Sequence, residues 1–480
     1  MRKAILILIP AIFMWGCTVG PNYHRPTVDV PTAYRGPSTT PGQGPAQQGS
    51  EPAANPPQQQ SSEQSLGDQK WWEVFRDPQL QELIRTALKQ NYDVQIAATR
   101  ILQAQAQLGI TRADQLPGIG AGASAINQRS QRQKPMHEFE TNANSVGASM
   151  AWELDFWGKY RRATEAARAE LLATEWARRT VMTSLVSNVS ASYFQLRAFD
   201  LQLEISRRTL VSRQDSLRLT QTLASGGATN MLDVRQAEEL VAVAAGNITD
   251  LERLIQQQEN FISTLLGNNP GPIARGMKLT EQPHLPEVPP GIPSRLLERR
   301  PDIRAVEAQL MAANAQIGIA KAAYFPQITL TANSGMQTAA LTSLFTGPAG
   351  FWNFGGSLAQ PIFAGGRIKS GVRLTEAREQ ELVLTYQQAI LQAFRGVSDA
   401  LVGYQKSHEF RLHQEELVVA ARDAARLSDV RYRGGAASYL EVLTNETNAF
   451  EAELGLAQAQ LNELFGLVAI YRNLGGGWES

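Results

Sequence analysis

The longest uninterrupted helix signal in the sequence constrains the fold most. From Lys159 to Ser225 the chain runs for 67 residues without a proline or a glycine, the two residues that most often break helix interiors. Apolar side chains recur at mixed three- and four-residue steps, as one face of a helix requires. A single helix over this run would be about 100 Å long at ~1.5 Å per residue, roughly twice the thickness of a bilayer. The sequence therefore predicts an element that crosses a distance.

An internal repeat is the second constraint. The run ends at Gly226-Gly227, and a nearly identical ending at Gly434-Gly435 closes a second long segment 208 residues later. Residues 91–94 align with 300–303, and residues 106–110 align with 315–319. The chain is therefore predicted to contain two copies of one unit. We predict a first repeat over residues 71–267, a connection rich in proline and glycine over 268–293, a second repeat over 294–474 and a tail over 475–480.

Each repeat also contains a short section with strand character between its helices. Residues 145–157 alternate between apolar side chains, such as Val146, Met150 and Trp152, and small or polar ones. Such period-two alternation is typical of a strand with one apolar and one polar face. Three more strands are predicted near residues 118–126, 327–335 and 354–363.

Two environments fit these strands. In a soluble sandwich the apolar face would meet a second sheet, whereas in an outer-membrane barrel it would meet lipid. Trp152, Trp157 and Trp352 lie near predicted strand ends, where an aromatic belt at the membrane interface would place them, although core tryptophans are equally common. Four strands cannot close a barrel, and an open sheet edge in lipid is energetically forbidden. A membrane barrel would therefore require several chains to pool their strands.

The N-terminus has the pattern of an export signal. Arg2 and Lys3 precede an apolar run over residues 4–15 that is too short for a transmembrane helix. We predict a signal peptide over residues 1–16, followed by a lipidated N-terminus and a flexible linker rich in Pro, Gln, Ser and Gly over residues 17–70. Residues 14–17 resemble a bacterial lipobox, which makes Cys17 the lipidation site. The alternative is a buried cysteine in an ordinary signal peptide.

Composition excludes several classes of function. The 45 Lys and Arg residues balance the 45 Asp and Glu residues, which argues against a general nucleic-acid binder. One cysteine allows neither a disulfide framework nor a thiolate metal cluster, and the five histidines are scattered. No catalytic or cofactor-binding motif is present in the sequence. We therefore expect neither an enzyme, nor a metal site, nor a cofactor.

Four groups of motifs are spread over nearly the whole mature chain. They are Cys17 followed by Val19-Gly20-Pro21-Asn22-Tyr23, Trp71-Trp72 with Asp77-Pro78, Pro293-Ser294-Arg295-Leu296-Leu297 with Arg300-Pro301-Asp302-Ile303, and Tyr432 through Leu443. In these motifs the chain resembles the TolC-like outer membrane factors, in the NodT/OprM-like lipoprotein branch that serves tripartite efflux pumps. The resemblance implies an α+β membrane protein in which three chains each give four strands to a twelve-stranded β-barrel. Long coiled-coil helices would continue that barrel as a tube in the periplasm.

The resemblance also implies function and partners. A homotrimer in outer membrane lipid would act as a passive exit duct, served by a periplasmic adaptor (membrane fusion) protein and an inner-membrane transporter of the RND type. Drugs or other small toxic compounds would be the cargo. Export of metal ions, type I protein secretion, or a periplasmic coiled-coil lipoprotein without a pore are the alternatives.

The resemblance assigns roles to the two glycine turns and to the helices that follow them. The tip that would meet the adaptor comprises Ser225, Gly226, Gly227, Arg433, Gly434 and Gly435. Asp233 and Glu441, at matched positions of the two repeats, correspond to acidic residues that line the closed aperture. The alternative is that these carboxylates only offset the dipole of a helix N-terminus. Ala437 stands where some relatives have a polar latch residue, so the latch is expected to use Arg431, Arg433 or Asn445, or to be replaced by packing.

Overall fold

The computed structural model describes residues 18–35, 65–129, 140–283 and 291–478. Cys17, the predicted signal peptide and most of the predicted linker lie outside the described residues. The helices are α1 (Trp71–Val74), α2 (Pro78–Gln90), α3 (Tyr92–Ala113), α4 (Lys159–Ser225), α5 (Met231–Leu265), α6 (Pro293–Arg299), α7 (Pro301–Ala322), α8 (Arg367–Arg433) and α9 (Tyr439–Asn473). The strands are β1 (Gly118–Arg129), β2 (Glu140–Glu153), β3 (Gln327–Thr338) and β4 (Gly350–Ala359).

The helices occur in matched pairs. Helices α4 and α8 both have 67 residues, α5 and α9 both have 35, and α3 and α7 both have 22. Helix α4 begins and ends where the run without proline or glycine does. The predicted helix is therefore present as a single element, and its partner in the second half has the same length.

The four strands form one antiparallel sheet in the order β1-β2-β3-β4. One face carries small and polar side chains, and cross-strand hydrogen bonds join Ser124 to Ser145 and Asn333 to Asn353 at 2.8 and 2.9 Å. The other face carries rows of apolar residues, one of which comprises Ile119, Met150, Ala332 and Phe354. The alternation of apolar and polar side chains in residues 145–157 therefore continues in all four strands.

The strand boundaries differ from the predicted ones at both ends. Strand β2 ends at Glu153 instead of continuing to residue 157, because the Asp155 carboxylate accepts from the backbone N–H groups of Tyr160 and Arg161 and so begins α4. Strand β4 occupies Gly350–Ala359 instead of 354–363, because Pro361 has no N–H to continue the ladder. Strands β1 and β3 each extend three residues beyond their predicted ends.

Two compact units divide the chain. Unit 1 comprises Met1–Thr27, Thr99–Glu175 and Ala305–Gln387, and it contains the sheet. Unit 2 comprises Val28–Ala98, Trp176–Arg304 and Gln388–Ser480, and it contains both glycine turns. Each unit takes segments from both sequence repeats.

A buried carboxylate organises part of unit 2. Asp77 is fully buried and caps α2 through the N–H of Gln79 at 2.9 Å. Its other oxygen accepts from the Tyr193 hydroxyl and the Met277 N–H, both at 2.9 Å, and from the Gln282 side-chain amide at 3.1 Å. A buried carboxylate with this many donors ties the connection between the repeats to α4.

The helices were also compared with the length and apolarity of a membrane span. Among the residues that the structure describes, no helix is both long enough and apolar enough to cross a bilayer.

Candidate functional site

The two glycine turns of unit 2 have the same backbone hydrogen bonds. After α4, the Ala228 N–H donates to the Leu223 carbonyl at 2.9 Å and the Gly227 N–H donates to the Ala224 carbonyl at 3.1 Å. After α8, the equivalent bonds from Ala436 and Gly435 measure 2.8 and 2.9 Å. Both patterns are Schellman caps, which satisfy the last carbonyls of a helix and need a residue with positive φ.

The requirement for glycine in these turns comes from the backbone. Gly227 and Gly435 have φ values of 75° and 72°, and an added Cβ would meet no atom within 4 Å at either position. Ser225 and Arg433, just before the turns, are exposed, as are all four glycines. The structure therefore places the six predicted tip residues at the exposed ends of two helical hairpins.

The next helices begin differently in the two repeats. The Asn230 side chain caps α5 by accepting from the N–H groups of Leu232 and Asp233 at 2.8 and 3.2 Å. Ser438 occupies the same position before α9 but makes no side-chain cap. Asp233 also accepts a hydrogen bond from the Thr229 hydroxyl. The Asp233 carboxylate is thus held within its own turn, and its side chain is half-buried.

Glu441 is held by a cation from the preceding helix instead. Arg431 forms an ion pair with Glu441 at 3.0 Å and donates to the Ala436 carbonyl at 3.3 Å. Arg433 pairs with Asp429 at 2.9 Å, and the Asn445 amide bonds the main-chain carbonyl of Glu441. Of the three residues considered as replacements for a latch at Ala437, Arg431 is the one that contacts a predicted aperture carboxylate.

An apolar cluster lies behind the turns and joins the two hairpins. Tyr439, Val442 and Ala237 are buried, and Leu217, Tyr432 and Leu443 pack against them. Burial raises the pKa of Tyr439 to about 12, although a hydrogen bond with Ser216 partly opposes this effect. The Tyr432 and Tyr439 rings lie 5.5 Å apart. Packing therefore contributes to holding the hairpins together at this level.

Below that cluster, a buried arginine connects three of the four long helices. Arg213 on α4 is 2% exposed, donates to the Leu240 carbonyl on α5 at 2.9 Å, and stacks over the Phe450 ring on α9. Burial lowers the pKa of the Arg213 guanidinium. Burial also raises the pKa of the nearby Glu446 carboxyl, with the charge of Arg213 opposing this shift and that of Asp429 adding to it. The Arg213 Nε and Glu446 Oε2 atoms are buried without a hydrogen-bond partner.

Two further carboxylates on α9 were not identified from the sequence. Glu453 pairs with Arg208 of α4 and Arg422 of α8, and Glu463 pairs with His408 and Arg411 of α8. Glu453 follows Glu446 by one heptad, just as Ala457 follows buried Phe450. That coincidence of a charged and an apolar heptad on one helix face is the signal that could have revealed Glu453; Glu463 lies outside this heptad.

Within the described ranges, no group of three or more His, Cys, Asp or Glu residues could hold a metal ion.

The comparisons with known proteins agree with this architecture. The family model for outer membrane efflux proteins matches residues 83–268 and 292–476. The probable efflux pump outer membrane protein TtgC of Pseudomonas putida is 35% identical over all of this chain and 96% of its own. The probable outer membrane lipoprotein SilC of Salmonella typhimurium is 34% identical over the whole of both chains. The cation efflux system protein CusC of Escherichia coli is 33% identical over 98% of this chain and 97% of its own. A crystal structure of CusC aligns with a TM-score of 0.83 and 31% identity, covering 96% of this chain and 100% of that one.

The fold shared with these structures shows the general class of protein. Tandem repeats of long helices with a four-stranded sheet are the fold of outer-membrane channel subunits. The chain belongs to the outer membrane efflux protein family. Its place is the outer membrane, its role is that of the exit channel of an efflux pump, and its relatives are channels rather than enzymes.

Proposed function

We propose that three copies of this chain pool their sheets into one twelve-stranded barrel. The open sheet is the observation that carries this proposal, because β1 and β4 are its two edges. Each unpaired backbone group at such an edge would cost several kcal/mol in lipid. Since the four strands alternate in direction, β4 of one copy and β1 of the next would pair antiparallel, as every other pair in the sheet does.

The size of the lumen argues for more than two copies. Two copies would give eight strands, and an eight-stranded barrel is just wide enough for its own side chains to fill. Three copies would give twelve strands and leave space for water and cargo. The resemblance to the TolC-like factors implies the same number.

The polar face of the sheet is suited to line this lumen. Gly147 and Gly335 are paired across β2 and β3 on that face. A Cβ added to Gly147 would lie 2.7 Å from the Ser334 carbonyl oxygen, and one added to Gly335 would collide with the Val146 carbonyl oxygen. Strands approach so closely on the concave side of a bent sheet, where glycine permits curvature. The polar face would therefore be inside and the apolar face would meet lipid.

As a member of a tripartite pump, the channel would receive cargo from an inner-membrane transporter through a periplasmic adaptor. We propose a transporter of the RND type, and drugs or other small toxic compounds as cargo. The exposed tip at the two glycine turns would contact the adaptor. In a trimer, Asp233 and Glu441 would place up to six carboxylates around the axis, a ring that favours cations and closes the aperture.

Conductance tests the channel and its gate. The purified chain should migrate as a heat-modifiable trimer in electrophoresis and should give single-channel currents in planar bilayers. A scaffold without a pore would do neither.

The gate is tested by a double variant. Asp233→Ala combined with Glu441→Ala should raise the conductance and let large antibiotics leak into cells. The matched control is Asp215→Ala with Glu238→Ala, which removes two partly exposed carboxylates of the hairpin that carries Asp233. Unchanged conductance in the variant with Asp233→Ala and Glu441→Ala would contradict the role of these carboxylates as a gate. It would not contradict the proposal that the chain forms a channel.

Lipidation at Cys17 is tested separately. Labelled palmitate should be incorporated into the full chain and should be lost in Cys17→Ser. Continued labelling of that variant would move the lipid to another residue.

A further inference from the structure

The N-terminal segment Thr18–Arg25, here called the strap, is bound along unit 1. The Val19 N–H donates to the carbonyl of Trp157 at 3.1 Å, at the point where the chain leaves β2 for α4. A Cβ on Gly158 would collide with Thr18, so the first described residue of the strap lies directly against that turn. The strap is therefore held from its first residues onward.

A buried arginine binds the first half of the strap. The Arg162 side chain on α4 is 4% exposed. It donates to the carbonyls of Val19 and Gly20 at 3.3 and 3.2 Å and to the Asn22 side-chain oxygen at 2.9 Å. Glu165, one turn along α4, pairs with the same guanidinium at 2.7 Å. Three of these four contacts would be lost if the strap left.

A buried glutamate binds the second half. The Glu307 side chain on α7 is 7% exposed and forms an ion pair with Arg25 at 2.8 Å. The Tyr23 hydroxyl donates to the same carboxylate at 3.5 Å. Burial raises the pKa of Tyr23, and the negative charge of Glu307 adds to that effect. The strap thus supplies a positive charge and a hydroxyl to a carboxylate that is taken out of water.

A glycine contact forms the floor between these two charges. Gly20 has a φ of 103°, and a Cβ on it would collide with the backbone of Gly318 on α7. A Cβ on Gly318 would lie 2.7 Å from the Val19 carbonyl oxygen and 2.8 Å from the Arg162 Cγ. Gly109, the residue at the matched position of the first repeat, has no atom within 4 Å of such a Cβ. Of these two matched glycines, the one in the second repeat is in contact with the strap.

We propose that Arg162, Glu307 and Gly318 form a receptor for the chain's own N-terminal strap, and that seating the strap is a checkpoint in the folding of unit 1. An unseated strap takes Arg25 and Tyr23 away from a buried carboxylate and removes three of the four contacts of a buried guanidinium, which strongly disfavours the folded unit. The receptor recognises an extended segment with a positive charge, a phenol and a glycine at the spacing Gly20, Tyr23 and Arg25. Lipid on Cys17, which rests on the proposed function, would be attached one residue before the strap in the sequence.

Gly318→Ala in the full chain tests the receptor. The helix propensity of alanine and the obstruction of the strap should change the melting temperature in opposite directions. In a helix interior, Ala is more favourable than Gly by roughly 1 kcal/mol, so the substitution alone should stabilise α7. Obstruction of the strap should instead lower the melting temperature. Gly109→Ala, made at the matched position of α3, should raise the melting temperature or leave it unchanged. A rise in both variants would overturn the receptor.

Exchange of the two charges tests the ion pair between Arg25 and Glu307. It does not alter either residue of the contact between Gly20 and Gly318. Arg25→Glu and Glu307→Arg should each destabilise the full chain, and the two together should recover most of the loss. Glu376→Lys, which breaks the more exposed pair between Lys321 and Glu376 in the same unit, is the control and should have little effect. Failure of the double variant to recover would contradict recognition of the strap by charge.

Folding kinetics distinguish a checkpoint from a contact that only adds stability. If seating precedes the rate-limiting step, Gly318→Ala should slow the acquisition of protease resistance by roughly fivefold or more. A late contact would only accelerate unfolding, and that result would overturn the checkpoint. Cys17→Ser should leave this rate unchanged, so a failure of lipidation and a failure of the strap have different results.

Discussion

At the scale of single residues, α9 is distinguished by its carboxylates. Glu463 is 1% exposed and contacts Arg411 and His408 of α8, whereas Glu453 is 10% exposed and pairs with Arg208 of α4 and Arg422 of α8. A buried carboxylate is stable only when its charge is compensated, so each group fixes which residues of α8 and α4 may lie beside it. The carboxylates therefore specify the pairing of the long helices as well as contributing to their stability.

The first prediction concerns Glu463. Glu463→Gln should destabilise the chain by about 3–5 kcal/mol, because it takes the buried charge partner from the Arg411 guanidinium and leaves only the more exposed Glu415. Glu415→Gln removes a more exposed partner of the same arginine and should cost less than about 1 kcal/mol. Denaturant unfolding of the two variants measures both values. Equal losses would show that burial of Glu463 does not determine its contribution.

The second prediction concerns pH. Because the folded protein raises the pKa of Glu446, its folded form binds a proton more readily than its unfolded form. The resulting stabilisation is fully present below the ordinary carboxyl pKa of 4.5 and is lost as the pH rises through the raised value. Amide exchange around Glu446, corrected for the intrinsic rate, should therefore become faster as the pH rises above 4.5 and through the raised pKa.

Glu446→Gln supplies the test of that pH dependence. The neutral side chain should remove most of the difference and slow exchange at neutral pH. Glu451→Gln, at an exposed position of the same helix, should leave the wild-type pattern in place. If the pH dependence of amide exchange persists in Glu446→Gln, a different titratable group causes it.

At the scale of elements, the ends of the long helices are defined by backbone geometry. Both α4 and α8 end in the same cap, and both caps use glycine for its positive φ and not for lack of space. The sequence is sufficient to predict such an end, because the glycine follows directly after a long helical pattern. The same signal could not predict that Asp233 is held by Thr229 while Glu441 is held by Arg431.

The third prediction separates the two glycines of one turn. Gly227→Ala forces a side chain into the left-handed region and should destabilise the cap by about 1–2 kcal/mol. Gly226→Ala keeps a Cβ at ordinary contact distances and should cost less. Unfolding of the two variants, together with their affinity for the adaptor, gives the comparison. Equal destabilisation would contradict the role of positive φ.

At the scale of the whole molecule, the sequence predicts the repeat and the long helices well. A gap-free match such as that between residues 106–110 and 315–319 leaves little freedom in the arrangement of elements. The strand ends were less predictable, because alternation records neither the local hydrogen bonds of Asp155 that end β2 nor the missing N–H of Pro361 that ends β4. The partners of Arg162, Glu307 and Glu463 could not be predicted, since they are brought together only by packing of distant segments.

The fourth prediction tests the central claim, that copies of this chain close a barrel by joining β1 to β4. Within one sheet these strands are separated by β2 and β3, so a disulfide between them must join two copies. One cysteine would replace Ser124 on β1, and the second would replace Asn353, Gly355 or Ser357 on β4 in turn. Cys17 is the single native cysteine, and the native chain serves as the control.

Oxidation in native outer membranes and electrophoresis without reductant then give the measurement. At the pairing that matches the barrel register, we expect covalent dimers and trimers, with the trimer as the largest species. A ladder extending beyond three copies, or no cross-link at any of the three pairings, would contradict it.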